Sequence, residues 1–131
     1  MNINKFTQNS LQAVQNSQSL AYEYGHQEMD VEHLLLSLLK LDNSLIKKLL
    51  EKMGIETKIF ETQIVGLLNK RSKVSGGQVY ISNDLNRVLI NAENEAKQMG
   101  DSYVSVEHLF LSMLKQPNRA VKQLFADFRI N

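Results

Sequence analysis

Cysteine is absent from this chain of 131 residues, and so is tryptophan. Without cysteine there is no disulfide framework, no thiol nucleophile and no thiolate metal site, which suits a reducing compartment. Proline occurs once, as Pro117. Extended β-branched alternation is missing too, so strand signals are weak and an all-α fold is expected. There is no excess charge of one sign: fifteen Lys and Arg stand against fourteen Asp and Glu, for a formal net charge of +1. That balance gives no electrostatic case for nucleic acid or a membrane surface as partner. The start, Met1-Asn2-Ile3-Asn4-Lys5, carries no apolar signal core, and no apolar run approaches the roughly 20 residues of a membrane span. The expectation is a cytoplasmic protein of one domain, or of two tightly fused halves, long enough to bury a core unaided.

What the chain does contain is a repeat. Val31-Glu32-His33-Leu34-Leu35-Leu36-Ser37-Leu38-Leu39-Lys40 returns as Val106-Glu107-His108-Leu109-Phe110-Leu111-Ser112-Met113-Leu114-Lys115 at one constant offset. A run this apolar, too short to cross a bilayer, reads as a buried helix. The flanks repeat as well. Thr7 and Ser82 stand as N-caps before the stripes Leu11, Val14, Ala21, Tyr24 and Leu85, Val88, Leu89, Ala92, Ala96, Met99. Gly25 and Gly100 close those helices. Asp30 and Ser105 cap the buried pair. A third helix follows in each half, through Leu45 to Met53 in the first and after Pro117-Asn118 in the second. Overlaid, the halves agree at about 15 of roughly 50 positions, a true internal repeat. A fourth helix, with Ile59, Phe60, Ile64, Leu67 and Leu68, has no counterpart before Asn131. The expected architecture is therefore a pseudo-twofold duplicated four-helix repeat whose second copy lacks its last helix. Repeat 1 runs over about 1–69 and repeat 2 over about 81–131. The basic, glycine-ended stretch between them, about 70–80, reads as a flexible connector with solvated charge.

Catalytic signatures are missing. There is no phosphate-cradling Gly-x-x-x-x-Gly-Lys loop and no His-Glu-x-x-His, and the three histidines, His26, His33 and His108, suggest no shared metal site. A non-enzymatic domain without its own cofactor or metal is expected. The repeated Glu-His pair admits two readings. In the bland one, Glu32 and Glu107 complement the helix dipole in the first turn, worth about 0.3–1 kcal/mol, and His33 and His108 bond locally or fill a slot at the helix start. In the functional one, each glutamate lies near a helix N-terminus, capped by Thr7 or Ser82, whose free N–H groups bind anions. Two polar pockets would result, each suited to a group carrying both charges or to a peptide with a cationic side chain.

Lys5-Phe6-Thr7, Tyr24-Gly25-His26-Gln27-Glu28, the two Glu-His-Leu motifs with Gly100-Asp101-Ser102-Tyr103-Val104-Ser105 before the second, and Lys73-Val74-Ser75-Gly76-Gly77 together resemble the N-terminal domain of the Clp family of AAA+ unfoldases. The similarity spans essentially the whole chain and is greatest to the ClpB disaggregase branch, with ClpC the nearest alternative. It implies a substrate-binding domain that takes unfolded or aggregated polypeptides and helps deliver them to the pore of a homohexameric ATPase. ATP and magnesium would belong to that parent's ATPase modules, and the isolated domain would be a monomer. The family's functional polar residues fall on Thr7, Asp101 and Glu107, and its apolar peptide groove on Leu89 alone, because Asn91, Glu95 and His108 stand where some relatives have apolar residues. For a ClpC-type domain the resemblance implies adaptor or phosphoarginine contacts at Glu32, Glu107, Thr7 and Ser82.

Overall fold

The computed structural model describes residues 3–74 and 76–131. Met1 and Asn2 of the start read above for a signal core lie outside the described residues, as does Ser75 of the expected connector.

Seven α-helices form among the described residues: α1 (Gln8–Glu23), α2 (Val31–Lys40), α3 (Leu45–Lys52), α4 (Thr57–Asn69), α5 (Asn83–Gln98), α6 (Val106–Lys115) and α7 (Arg119–Asp127). Side-chain caps initiate four of them: the expected Thr7 accepts from Ser10 N–H and Ser82 from Leu85 N–H, Asn118 from Val121 N–H, and Ser44, not singled out in the sequence, from Lys47 N–H, each satisfying an orphan donor of a first turn. Gly25 and Gly100 end α1 and α5 with φ of +72° and +73°, a conformation in which a Cβ is strained.

Within each half the long first helix packs on the repeated one, α1 on α2 and α5 on α6. The serine in the middle of each apolar motif has the same partner in both halves. Ser37 Oγ donates to Ala13 O and Ser112 Oγ to Val88 O, each at 2.6 Å, and each pair stands at the same offset of 75 residues. A lone hydroxyl on an apolar helix face is thus buried without an unmet hydrogen bond.

The halves cross each other at their helix entrances. β1 (Glu28–Met29) pairs in parallel with β2 (Tyr80–Ile81), so that Ser82 N–H, at the start of α5, donates to Met29 O at 2.9 Å. The mirror arrangement joins Phe6 to Val104, with Thr7 N–H donating to Val104 O at 2.9 Å. Each long helix therefore starts against the entrance of the other half's buried helix. Two-residue strands carry no periodic signal, and this pairing was not legible in sequence.

The stretch between the halves also differs from expectation. Arg71 is held by three carboxylates, Val74 N–H donates to Gly25 O at 2.8 Å, and Tyr80 N–H donates to Gln27 O at 3.0 Å. The segment is anchored at Arg71, Val74 and Tyr80, and the charge of Arg71 is paired rather than merely solvated. Repeat 2 contains α5, α6 and α7, and no counterpart of α4 occurs among its described residues.

Two helix entrances as the candidate binding site

The repeated histidine is a capping residue. Asp30 N–H donates to His33 Nδ1 and Ser105 N–H to His108 Nδ1, both at 2.9 Å, closing a capping box in which histidine takes the place usual for Glu or Gln. Because Nδ1 accepts, the proton of each neutral ring lies on Nε2 and points away from the cap. His33 Nε2 donates it to His26 Nδ1 at 2.8 Å; His108 Nε2 donates to Asp101 Oδ2 at 2.8 Å. His26 and Asp101 are positional equivalents, so one device is completed by two different acceptors. The bland reading of the histidines holds.

The two glutamates, equal in sequence, have different surroundings. Glu32 is 2% exposed. Asn118 Nδ2, at the cap of α7, donates to its Oε1 at 2.6 Å, and Arg71 Nη1 donates to its Oε2 at 3.1 Å. The same guanidinium reaches Asp30 Oδ2 at 3.2 Å and Glu28 Oε1 at 2.9 Å. Burial opposes the Arg71 charge, but Glu32, Asp30 and Glu28 outweigh it and hold the group protonated more firmly than usual. Ser82 is buried and donates to Asp30 Oδ1 at 2.8 Å while it caps α5. At this entrance the expected contacts Glu32 and Ser82 are occupied by the protein itself.

The equivalent entrance of repeat 2 is open. Thr7, Gln8 and Asn9 of the α1 start face Ser105, Val106 and Glu107 across a groove of about 440 Å³. Glu107 is exposed and makes no ion pair among the described residues. Asp101, its side chain 48% exposed, belongs to a neighbouring hollow and connects to this groove through His108 and Ser105. Of the residues expected from sequence, the structure brings Thr7 and Glu107 together and sets Asp101 one histidine away. Leu89 is a correction: at 1% exposure it belongs to the core under α6 and offers no surface to a ligand. Sequence reasoning missed Arg71 as the occupant of the first entrance. Its signal was a basic residue two positions past the end of α4, indistinguishable there from a solvated charge.

Among the described residues no three His, Asp or Glu converge as metal ligands, and no helix is long and apolar enough to cross a membrane.

The structure is a duplicated helical domain with interlocked entrances, one filled and one open. The comparisons give the family. The profile of the Clp repeat (R) N-terminal domain matches residues 5–128, and the chain belongs to that family. It is 42% identical over 122 residues to the chaperone protein ClpB of Nitratidesulfovibrio vulgaris, covering 89% of this chain and 14% of that protein. With ClpB of Bacillus cereus it shares 33% over 135 residues, 99% of this chain and 16% of the relative. The chain thus spans about a seventh of the length of these curated relatives. The fold matches the Hsp104 N-terminal domain from Candida albicans with a TM-score of 0.87 at 22% identity, covering 97% of this chain and 83% of that one. It also matches a ClpV N-domain solved as a complex with a VipB peptide, with a TM-score of 0.75 at 22% identity over 96% of this chain and 80% of that one. The chain is a non-catalytic Clp N-terminal domain, similar to those of ClpB.

Two predictions follow from the unequal entrances and the histidine pair. Glu32→Ala leaves the buried Asn118 amide without its acceptor and removes one of the three carboxylates on Arg71, and should cost about 2 kcal/mol, whereas Glu107→Ala should stay within about 0.5 kcal/mol. Urea denaturation of both variants measures this, and equal losses would contradict the asymmetry. The second concerns pH. Burial first, then the charges of His26 and Arg71, lower the His33 pKa from 6.5 to about 4. Burial and Arg71 lower that of His26 also, against a weaker pull from the Leu68 carbonyl. The unfolded chain therefore binds these protons before the folded one does. Stability from His33 is complete above about pH 6.5 and should fall by about 3 kcal/mol as the pH drops towards 4. His33→Gln, which keeps the capping acceptor, should flatten that part of the curve. An unchanged slope would remove His33 as its source.

Proposed function

We propose that this chain is the non-catalytic substrate-binding N-terminal domain of an ATP-dependent protein disaggregase, which takes up unfolded or aggregated polypeptides in the cytoplasm and helps deliver them to the pore of an AAA+ ring. The observation that supports this reading is the open entrance at Thr7 and Glu107. The first-turn N–H groups of α1 are donors for a peptide carbonyl or carboxylate. Glu107, without an ion pair among the described residues, is the acceptor for a cationic side chain, and Asp101 adds a second exposed carboxylate nearby. The solved ClpV N-domain with a VipB peptide supports peptide binding by a domain of this fold. ATP and magnesium belong to the parent's ATPase modules, the parent is a homohexamer, and the isolated domain is a monomer. One domain binds weakly, and six on a ring supply avidity. Titration of an unfolded model protein into the isotope-labelled chain should shift amide signals at Thr7, Asp101 and Glu107 and leave the core residue Leu89 unmoved. No shift at saturating substrate would refute the reading.

A second reading, docking of an adaptor or of phosphoarginine-marked proteins as in ClpC-type unfoldases, is favoured by one observation: Glu32 already holds a guanidinium, that of Arg71. An equivalent guanidinium at Glu107, with its phosphoryl group at the α1 N-terminus beside Thr7, fits the open entrance by the same chemistry. Calorimetry with free phosphoarginine should then detect one site per chain, lost in Glu107→Ala. An absence of binding heat, or binding that survives that substitution, removes this reading.

A further inference from the structure

The capping relay of repeat 1 uses only one of the two nitrogens of His26. It needs an acceptor for His33 Nε2–H, and His26 Nδ1 supplies it at 2.8 Å. Repeat 2 shows that a carboxylate serves as well, since Asp101, at the equivalent position, receives His108 Nε2–H at the same 2.8 Å. With Nδ1 accepting, the proton of the neutral His26 ring lies on Nε2. That N–H is buried, in a residue 3% exposed, and makes no hydrogen bond among the described residues. The Leu68 carbonyl is near enough to act on the ring, but it accepts Arg71 N–H at 3.2 Å and completes no bond with His26. An unmet buried donor is costly, and the cap does not require this one.

The His26 ring lines a hollow of about 410 Å³ where α4 runs into the connector, together with Glu28, Lys70, Arg71 and Ser72. Donors surround it. Lys70 and Ser72 are exposed, and neither side chain makes a hydrogen bond or ion pair among the described residues. The backbone N–H groups of Arg71 and Val74 are bonded, while those of Ser72 and Lys73 between them make no bond among the described residues. The stem of Lys73 lies over Gly25, where a Cβ would meet it at 3.7 Å. Glu28, the one carboxylate in the lining, is drawn to Arg71 at 2.9 Å. The charged side chains that act on His26 are Arg71 and Lys73, both positive.

We propose that this hollow binds a phosphoryl group, with His26 Nε2–H as its buried donor and Lys70 and Ser72 at its mouth. A carboxylate offers two oxygens in one plane. A phosphoryl group offers three, and so meets the ring N–H, the hydroxyl and the ammonium together, with charge-assisted bonds. The pseudo-symmetry supports a donor role for His26: where the relay alone is served, as in repeat 2, aspartate fills the position and no such N–H exists. The site shares no lining residue with the Thr7–Glu107 groove, so it stands or fails apart from the polypeptide and phosphoarginine readings.

The test is a titration of inorganic phosphate into the full isotope-labelled chain at constant ionic strength. Saturation by about 10 mM is expected, with the His26 ring signals and the amides of Ser72 and Lys73 moving together. A bound dianion favours the imidazolium, so the pH at which His26 takes up a proton should rise. The groups facing that ring are Arg71, Lys73, Lys70 and Glu28 around the hollow, His33 at its edge and Tyr24 stacked on it at 5.5 Å. His26→Asp copies Asp101: it keeps an acceptor for His33, removes the donor and adds a negative charge. It should weaken binding about tenfold or more while circular dichroism stays helical. His26→Asn, the neutral version, and Lys70→Ala should each weaken it several-fold. A phosphoserine peptide forms the second arm: binding of both probes assigns a phosphoryl group carried on a chain, and binding of phosphate alone assigns the free anion. Three results overturn the proposal: no saturation by phosphate, shifts that persist in His26→Asp, or the same shifts with acetate or chloride, which would leave the hollow to water.

Discussion

A helix buried on every side must satisfy all its polar groups from within the protein, and α2 is such a helix. From Val31 to Leu39 every residue is buried. Its three polar members therefore need internal partners, because an unpaired buried polar group costs on the order of 1–3 kcal/mol. Ser37 finds the Ala13 carbonyl, His33 bridges the Asp30 amide and His26, and Glu32 takes Asn118 and Arg71. Those partners come from α1, the loop before α2, the cap of α7 and the segment after α4. Satisfying one helix thus ties down the element on each of its sides.

The copy, α6, obeys the same rule where it is buried and departs from it where it is not. Ser112 and His108 reproduce the bonds of Ser37 and His33. Glu107 does not reproduce those of Glu32: it makes no ion pair among the described residues. Glu107 instead faces the groove shared with Thr7, Gln8 and Asn9 at the start of α1. The pseudo-symmetry makes the difference readable, since each open feature of repeat 2 has a filled equivalent in repeat 1 that shows what chemistry the position accepts.

The crossing of the halves explains why the entrances are composite. Ser82 of the second half meets Asp30 of the first, and Thr7 of the first meets Ser105 and Glu107 of the second. Neither pocket belongs to one repeat. Two-residue parallel strands fix that arrangement through backbone hydrogen bonds alone, and side-chain identity carries almost no record of them.

The sequence by itself determined the helices, their caps, the duplication and the buried character of the repeated motif, because these follow from local periodicity and from residues that bond within a turn of themselves. For His33 and His108 it left local bonding and slot-filling both open, and the structure shows the local contact, three residues long. The inequality of Glu32 and Glu107, the burial of Leu89 and the pairing of Arg71 were decided only by tertiary structure. Each depends on what packs over a residue from up to 86 positions away, as Asn118 does over Glu32, and identical side chains at identical local positions acquire different chemistry when one is covered and the other is not.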